Sequence, residues 1–183
     1  MGLLGFARRQ LQTLHANTTH PPPHAHPSVF FVTYGSYLMS HLSRKCYSTV
    51  KTDLLTVGMS PLNLSQMDTT FMGAYALGSF VSGRLGDMLT PSKVLASGLL
   101  GSAVCLTLMI LEIMSGVISQ APVFGVGVIM VVYFAFGLAQ STGGPVGTAI
   151  MGNWFVDEQS LKDRGKIFGL WTTHQVSEVL GRR

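Results

Sequence analysis

The chain has 183 residues, of which 47% are hydrophobic and only 11% are charged. Soluble domains carry about 25% charged residues, so this composition indicates a membrane protein and argues against an ordinary soluble domain. The formal net charge is +4, but the basic residues are scattered, without a long run or interleaved aromatics, which argues against a nucleic-acid-binding chain.

The first 27 residues form a polar segment. They contain Arg8 and Arg9, no acid, and a stretch rich in His and Pro at residues 20–27. No apolar run of the length that a secretory signal requires is found there. We therefore predict a disordered cytoplasmic tail over residues 1–27. A transit peptide is the alternative, although such peptides are usually richer in Arg and Ser.

Five apolar segments follow, each as long as the roughly 20 residues of a helical membrane span or nearly so. They cover about residues 28–52, 69–83, 94–114, 123–150 and 167–183. The predicted fold class is therefore an all-α membrane protein with about five transmembrane helices. Directly after the second segment we expect a turn at residues 83–87 (GRLGD).

The basic residues outside these segments predict the orientation in the membrane. With five spans, most of them fall on one side: Arg8, Arg9, Arg84, Lys93, Lys162, Arg164 and Lys166. Only Lys51 and the terminal Arg182 and Arg183 fall on the other side. By the positive-inside rule, the N-terminus is predicted to be cytoplasmic.

Arg44 and Lys45 interrupt the first apolar segment, and no acid occurs before Asp53. A charge near the middle of a bilayer costs about 2.5–3.5 kcal/mol on insertion scales, so it is expected where a cavity or ligand receives it. The guanidinium of Arg44 suits a phosphate or carboxylate held through two hydrogen bonds, and Lys45 adds a compact charge. The alternative is a short span whose end the basic pair marks, with both side chains reaching the headgroups.

Five stretches in chain order resemble the major facilitator superfamily, and within it the organophosphate:phosphate antiporters. The similarity is greatest to eukaryotic sugar-phosphate exchangers of the glycerol-3-phosphate and glucose-6-phosphate transporter type. The stretches are residues 40–45 (SHLSRK), 80–87 (FVSGRLGD), 137–143 (GLAQSTG), 152–155 (GNWF) and 169–174 (GLWTTH). The resemblance implies the N-terminal part, about five helices, of a twelve-helix fold.

The resemblance also implies site residues. An arginine of the first helix grips the substrate phosphate in that family, and Arg44 stands at its position beside Lys45. Tyr37 matches an aromatic residue of the same site and His174 matches a histidine of the fifth helix. From the residues alone, a tyrosine is more often an interface anchor and a lone histidine more often a packing residue. Four further positions match structural signatures of the family: Gly83, Asp87, Gly143 and Pro145.

Three features depart from the family pattern. Gly144 stands where a tryptophan is usual before the proline of the fourth helix, and Glu178 puts an acid near the end of the fifth. The chain also ends within that helix, so we expect a fragment or shortened form that does not exchange substrate alone. The alternative is a short isoform that binds a full-length homologue and regulates it.

The implied function is exchange of a sugar phosphate or glycerol 3-phosphate for inorganic phosphate across a lipid bilayer by alternating access. No paired carboxylates or metal-ligand cluster occurs in the sequence, so we predict neither an enzyme nor a metal site, and no cofactor. The resemblance favours the endoplasmic reticulum membrane, with the plasma membrane and organelle envelopes as alternatives. Which sugar phosphate is carried is not predicted.

Overall fold

The computed structural model describes residues 26–56, 58–155 and 158–175. Its helices are α1 (His26–Thr56), α2 (Pro61–Met88), α3 (Pro91–Ser115), α4 (Val117–Gln120), α5 (Pro122–Gln140), α6 (Gly143–Trp154), α7 (Glu158–Trp171) and a 3₁₀ helix (Thr172–Gln175). No strand occurs within these ranges. The prediction of an all-α fold is confirmed. The predicted tail, apart from His26 and Pro27, and Glu178 lie outside the described residues.

Prolines begin three of the long helices. Pro61, Pro91 and Pro122 are the first residues of α2, α3 and α5, where a missing N–H costs no helical hydrogen bond. The hydroxyl of Ser60 caps α2 by accepting the N–H of Asn63 at 3.1 Å. The local sequence therefore defines where these helices start.

Within the described ranges, two helical stretches are long and apolar enough to cross a membrane. They are α3 and the run of α5 and α6, which are nearly continuous from Pro122 to Trp154. Helices α1 and α2, with 31 and 28 residues, exceed the length of a span but carry several charged residues. These four helical stretches, namely α1, α2, α3 and the α5–α6 run, are each longer than the apolar segment predicted there.

The prediction of a turn at residues 83–87 is wrong. Helix α2 continues through this stretch and ends at Met88, after which Leu89 is extended. Gly86 is buried against α6, where a Cβ would contact the Val146 side chain at 3.4 Å. No proline stands between residue 83 and Pro91 to end the helix earlier. The packing of Gly86 therefore outweighs the low helix propensity of the two glycines.

Helix α5 lies at the centre of the described bundle, with α2 and α3 packed along it, while α1 packs on α6. Aromatic rings from three helices form the middle of the largest core cluster: Tyr47, Phe71, Tyr133 and Phe136. The rings of Tyr47 and Tyr133 have centroids 4.5 Å apart. This cluster fixes α1 and α2 against α5.

Glycines allow close helix contacts at two points on α5. A Cβ on Gly137 would lie 2.7 Å from the carbonyl oxygen of Phe71 on α2. On α3, a Cβ on Gly98 would lie 2.7 Å from the carbonyl oxygen of Ala139. By contrast, Gly73 has open space around it. Backbone contact of this kind is how helices pack tightly where the hydrophobic effect is weak.

Helices α5 and α6 are separated only by Ser141 and Thr142, which keep right-handed helical dihedrals. Pro145 has no N–H, so it cannot donate to the carbonyl of Ser141, four residues earlier. The hydroxyl of Ser82 on α2 lies 3.1 Å from that carbonyl oxygen and donates to it. A neighbouring helix therefore satisfies the backbone group that the proline leaves without a helical donor.

Candidate functional site

Arg44 and Lys45 lie well inside α1, which continues beyond them to Thr56. The basic pair therefore does not mark the end of a short helix. Arg44 is half-buried and faces α2 and the end of α5. Lys45 is also half-buried, but it is the next residue on the helix and points about 100° away around its axis.

Three side chains hold the guanidinium of Arg44. Its Nε donates to Oε1 of Gln140 at 3.2 Å. Its Cζ lies 4.8 Å from the ring centroid of Tyr75 and 5.9 Å from that of Phe71. Guanidinium groups are weakly hydrated and are attracted to aromatic faces, so these rings stabilise the charge in a partly buried position. No other hydrogen bond of Arg44 occurs among the described residues.

Gln140 is itself buried, with only 2% of its surface exposed. Its Oε1 accepts the hydrogen bond from Arg44, whereas its Nε2 has no hydrogen-bond partner within the part of the chain that the structure describes. An amide donor without a partner in such a place is uncommon, because buried polar groups are usually satisfied.

Lys51 has a different role from Arg44. Its Nζ lies 2.5 Å from Oδ2 of Asp68 on α2 and 5.4 Å from the ring centroid of Tyr47. The carboxylate offsets the lysine charge, so this pair ties α1 to α2.

Tyr37 lies on the same helix as Arg44, nearly two turns earlier. Its ring centroid is 4.9 Å from that of His41 and 5.7 Å from that of Trp171. A Cβ on Gly143 would lie 3.6 Å from the Tyr37 ring. Tyr37 therefore packs where α1, α6 and α7 meet.

Gly144 lies between two phenol groups. A Cβ built on it would be 3.6 Å from Oη of Tyr37 and 3.7 Å from Oη of Tyr75. Because the Tyr75 ring also covers Arg44, the structure brings Arg44, Tyr75 and Tyr37 to one region near the start of α6. This region has a cation and two hydroxyls, which suits an anion that also carries hydroxyl groups.

The other predicted residues are placed less fully. His174 belongs to the 3₁₀ helix, which packs against α1, but its side chain lies outside what is described. Gly83 faces Pro145, because a Cβ built on Gly83 would lie 3.9 Å from the Cβ of Pro145. Asp87 is exposed in the last turn of α2. The roles of all these residues in binding or structure stay predictions.

Sequence reasoning missed Gln140, Tyr75, Phe71 and Trp171 as neighbours of the predicted site. Gln140 had a detectable signal, because it is an uncharged polar residue inside the apolar segment 123–150. The aromatic residues had none, since many rings in a membrane protein only pack. No group of three or more His, Cys, Asp or Glu that could hold a metal ion is found in the described ranges.

Comparison with known proteins agrees with this all-helical arrangement. Residues 33–177 match the profile of the Major Facilitator Superfamily. Sugar phosphate exchanger 3 of Bos taurus is 32% identical in an alignment that covers 86% of this chain and 36% of that protein. The Homo sapiens protein of the same name is 30% identical, with the same two shares.

A plant relative gives the same result. Putative glycerol-3-phosphate transporter 5 of Arabidopsis thaliana is 33% identical over 170 residues, covering 84% of this chain and 32% of that protein. The chain thus spans about a third of the length of the curated relatives it matches. No solved structure is a significant match. The chain belongs to the Major Facilitator Superfamily, a family of integral membrane transporters.

Proposed function

We propose that this chain is the N-terminal, phosphate-binding part of a transporter that exchanges a sugar phosphate or glycerol 3-phosphate for inorganic phosphate. The relatives are named as exchangers and transporters of these compounds. Their names favour a transporter over an enzyme. The proposal treats the 183-residue chain as part of a longer protein and gives it one of two halves that rock about a central site.

The observation that carries the proposal is the setting of Arg44. Its charge lies inside a long helix, on rings of Tyr75 and Phe71, and its Nε is occupied by Gln140. The end of the guanidinium, with its two Nη atoms, is then the edge left for a bidentate contact. Two parallel N–H···O bonds to a phosphoryl group use this edge.

Further cations are needed to offset the dehydration of a phosphate dianion. Lys45 supplies one from the next position on α1, and the family resemblance implies another from the second half of the transporter. The hydroxyls of Tyr37 and Tyr75 both lie close to Gly144, where they suit the organic part of the substrate. His174, in the 3₁₀ helix that follows α7, is proposed to line the same site.

Arg44→Lys tests the proposal, because it keeps the charge but removes the planar fork. We expect the KM for inorganic phosphate in exchange by the full transporter to rise about 10-fold to 100-fold, the effect of losing one charge-assisted hydrogen bond or two. Arg44→Ala should abolish exchange. Proteoliposomes loaded with unlabelled phosphate and supplied with labelled phosphate measure both.

Arg164→Lys is the matched control. Arg164 also lies over an aromatic ring, with Cζ 5.5 Å from the centroid of Phe168, but it is exposed on α7. Its replacement should leave the KM unchanged. Equal KM values for the wild type, Arg44→Lys and Arg164→Lys would contradict a phosphate contact at Arg44.

The location of exchange is also part of the proposal. We place the protein in the endoplasmic reticulum membrane, on the family resemblance given above, with the plasma membrane or an organelle envelope as alternatives. Immunolocalisation with an antibody to the N-terminal tail distinguishes these. If the 183-residue chain is made as such, co-purification with a full-length homologue would indicate a regulatory partner instead.

A further inference from the structure

The side-chain Nε2 of Gln140 is a buried polar atom that the proposed function does not yet use. Gln140 is the last residue of α5, with 2% of its surface exposed, and it faces Arg44. Arginine has only donors, so the atom of Gln140 that meets Nε must be the carbonyl oxygen. The chemistry of the contact therefore fixes which end of the amide is Oε1 and which is Nε2.

The other end of the amide has a donor to spare. Nε2 of Gln140 is buried and has no hydrogen-bond partner among the described residues. Both amide atoms belong to one planar group, so Nε2 lies beside the guanidinium that Oε1 contacts. Arg44 cannot accept its hydrogen, since a guanidinium has no acceptor. Nε2 of Gln140 and the Nη atoms of Arg44 are therefore neighbouring donors that one acceptor could satisfy.

An oxyanion supplies that acceptor. Each phosphoryl oxygen has several lone pairs, and a tetrahedral group bound at the Nη edge of Arg44 has an oxygen on the side of Gln140. Hydrogen bonds from neutral donors to a charged oxygen are stronger than those between neutral groups. A water molecule would also accept this hydrogen bond. In that case the hydrogen bond of Nε2 would not change when phosphate is added.

Resting on the function proposed above, we propose that Gln140 is a substrate-contacting residue that acts in two ways. Its Oε1 holds Arg44 in position, and its Nε2 donates a hydrogen bond to an oxygen of the phosphoryl group bound there. Gln140 thereby adds a directional contact without adding charge, and it does so for organic and inorganic phosphate alike.

The test combines one substitution with one spectroscopic probe. Gln140→Leu removes both hydrogen bonds at similar side-chain size, and Gln66→Leu makes the same change at an exposed position on α2. NMR of the full chain in lipid nanodiscs, labelled with ¹⁵N at glutamine side chains, follows a titration with inorganic phosphate. The method detects weak binding, and the spectrum of Gln140→Leu identifies the Gln140 signal by its loss.

We expect the Gln140 side-chain NH₂ signal to shift on addition of phosphate and not of chloride. Phosphate affinity, read from the indole signal of Trp171 labelled in a second sample, should fall about 10-fold to 100-fold in Gln140→Leu and remain unchanged in Gln66→Leu. The shift of Gln140 should be absent in Arg44→Ala.

The possible failures point to different errors. Wild-type affinity in Gln140→Leu, or a Gln140 signal that does not move while phosphate binds, would overturn the contact but leave Arg44 as the phosphate ligand. Unchanged phosphate affinity in Arg44→Ala would overturn the proposed function. A wild-type chain with no response to phosphate would overturn both.

Discussion

Replacing Ser82 with alanine removes a single oxygen atom, yet it should destabilise the chain measurably. The carbonyl of Ser141 has no helical donor, because Pro145 stands where the N–H would be, and the Ser82 hydroxyl lies 3.1 Å from it. The same hydroxyl lies 3.3 Å from the carbonyl of Ser79 in its own helix. Ser82→Ala leaves the Ser141 carbonyl buried and without this donor.

The size of the effect lies between two estimates. An unsatisfied buried polar group costs about 1–3 kcal/mol, whereas hydrogen bonds between helices in membranes average about 0.6 kcal/mol and reach about 1.7. Ser82 and Ser141 are only 3% and 1% exposed, which leaves little room for water, so we expect a loss of about 1–2 kcal/mol. For a chain of this length, that lowers the melting temperature by roughly 2–8 °C.

Thermal unfolding of the full chain in detergent measures this difference. Ser79→Ala is the control, because the Ser79 hydroxyl donates to the Tyr75 carbonyl of its own helix at 2.8 Å, a carbonyl that also has a helical N–H donor. Its replacement should change the melting temperature by less than about 2 °C.

A double-mutant cycle isolates the cause. In a Pro145→Ala background, residue 145 regains an N–H that can donate to Ser141, so Ser82→Ala should cost less there. Two results would refute the reasoning: equal melting temperatures for Ser82→Ala and Ser79→Ala, or the same cost of Ser82→Ala in both backgrounds.

Three further predictions concern helix packing, the surroundings of Gly144 and the length of the chain. Gly98→Ala should destabilise the chain by about 1–3 kcal/mol, because its Cβ would lie 2.7 Å from the Ala139 carbonyl oxygen, while Gly73→Ala, with open space around it, should be neutral in the same unfolding assay. Gly144→Trp should fill the space beside the Tyr37 and Tyr75 hydroxyls, so phosphate exchange for a sugar phosphate should fall more than phosphate exchange for phosphate; equal losses would contradict a substrate subsite there. The purified 183-residue chain in liposomes should show no phosphate exchange. An antibody to residues 1–27 should detect a native protein with more than twice the 19.7 kDa mass of this chain, whereas a native band near 19.7 kDa would favour the short isoform.

The fold class was predictable from the sequence because it depends on composition, whereas the role of Arg44 stays a prediction. An apolar chain with few charges has few alternatives to membrane helices, and Arg44 stands out where a charge is costly. Helix ends were less predictable. The stretch 83–87 contains two glycines, yet it stays helical because Gly86 packs against Val146 on another helix.

The partners of Arg44 could not be derived from sequence alone. Gln140 and Tyr75 lie on different helices from Arg44, and which side chains meet depends on the rotation and register of each helix. Glycines show the same limit. Gly98 and Gly73 look alike in sequence, but the first contacts a backbone and the second faces open space.

The held guanidinium of Arg44 also affects how strongly an anion can bind. An arginine side chain that is immobilised by a ligand loses about 2 kcal/mol of rotamer entropy. In this chain the hydrogen bond to Gln140 and the contact with Tyr75 restrict those rotamers before any ligand arrives. Much of the entropy is therefore lost during folding, and a preorganised arginine retains more of its interaction energy as affinity.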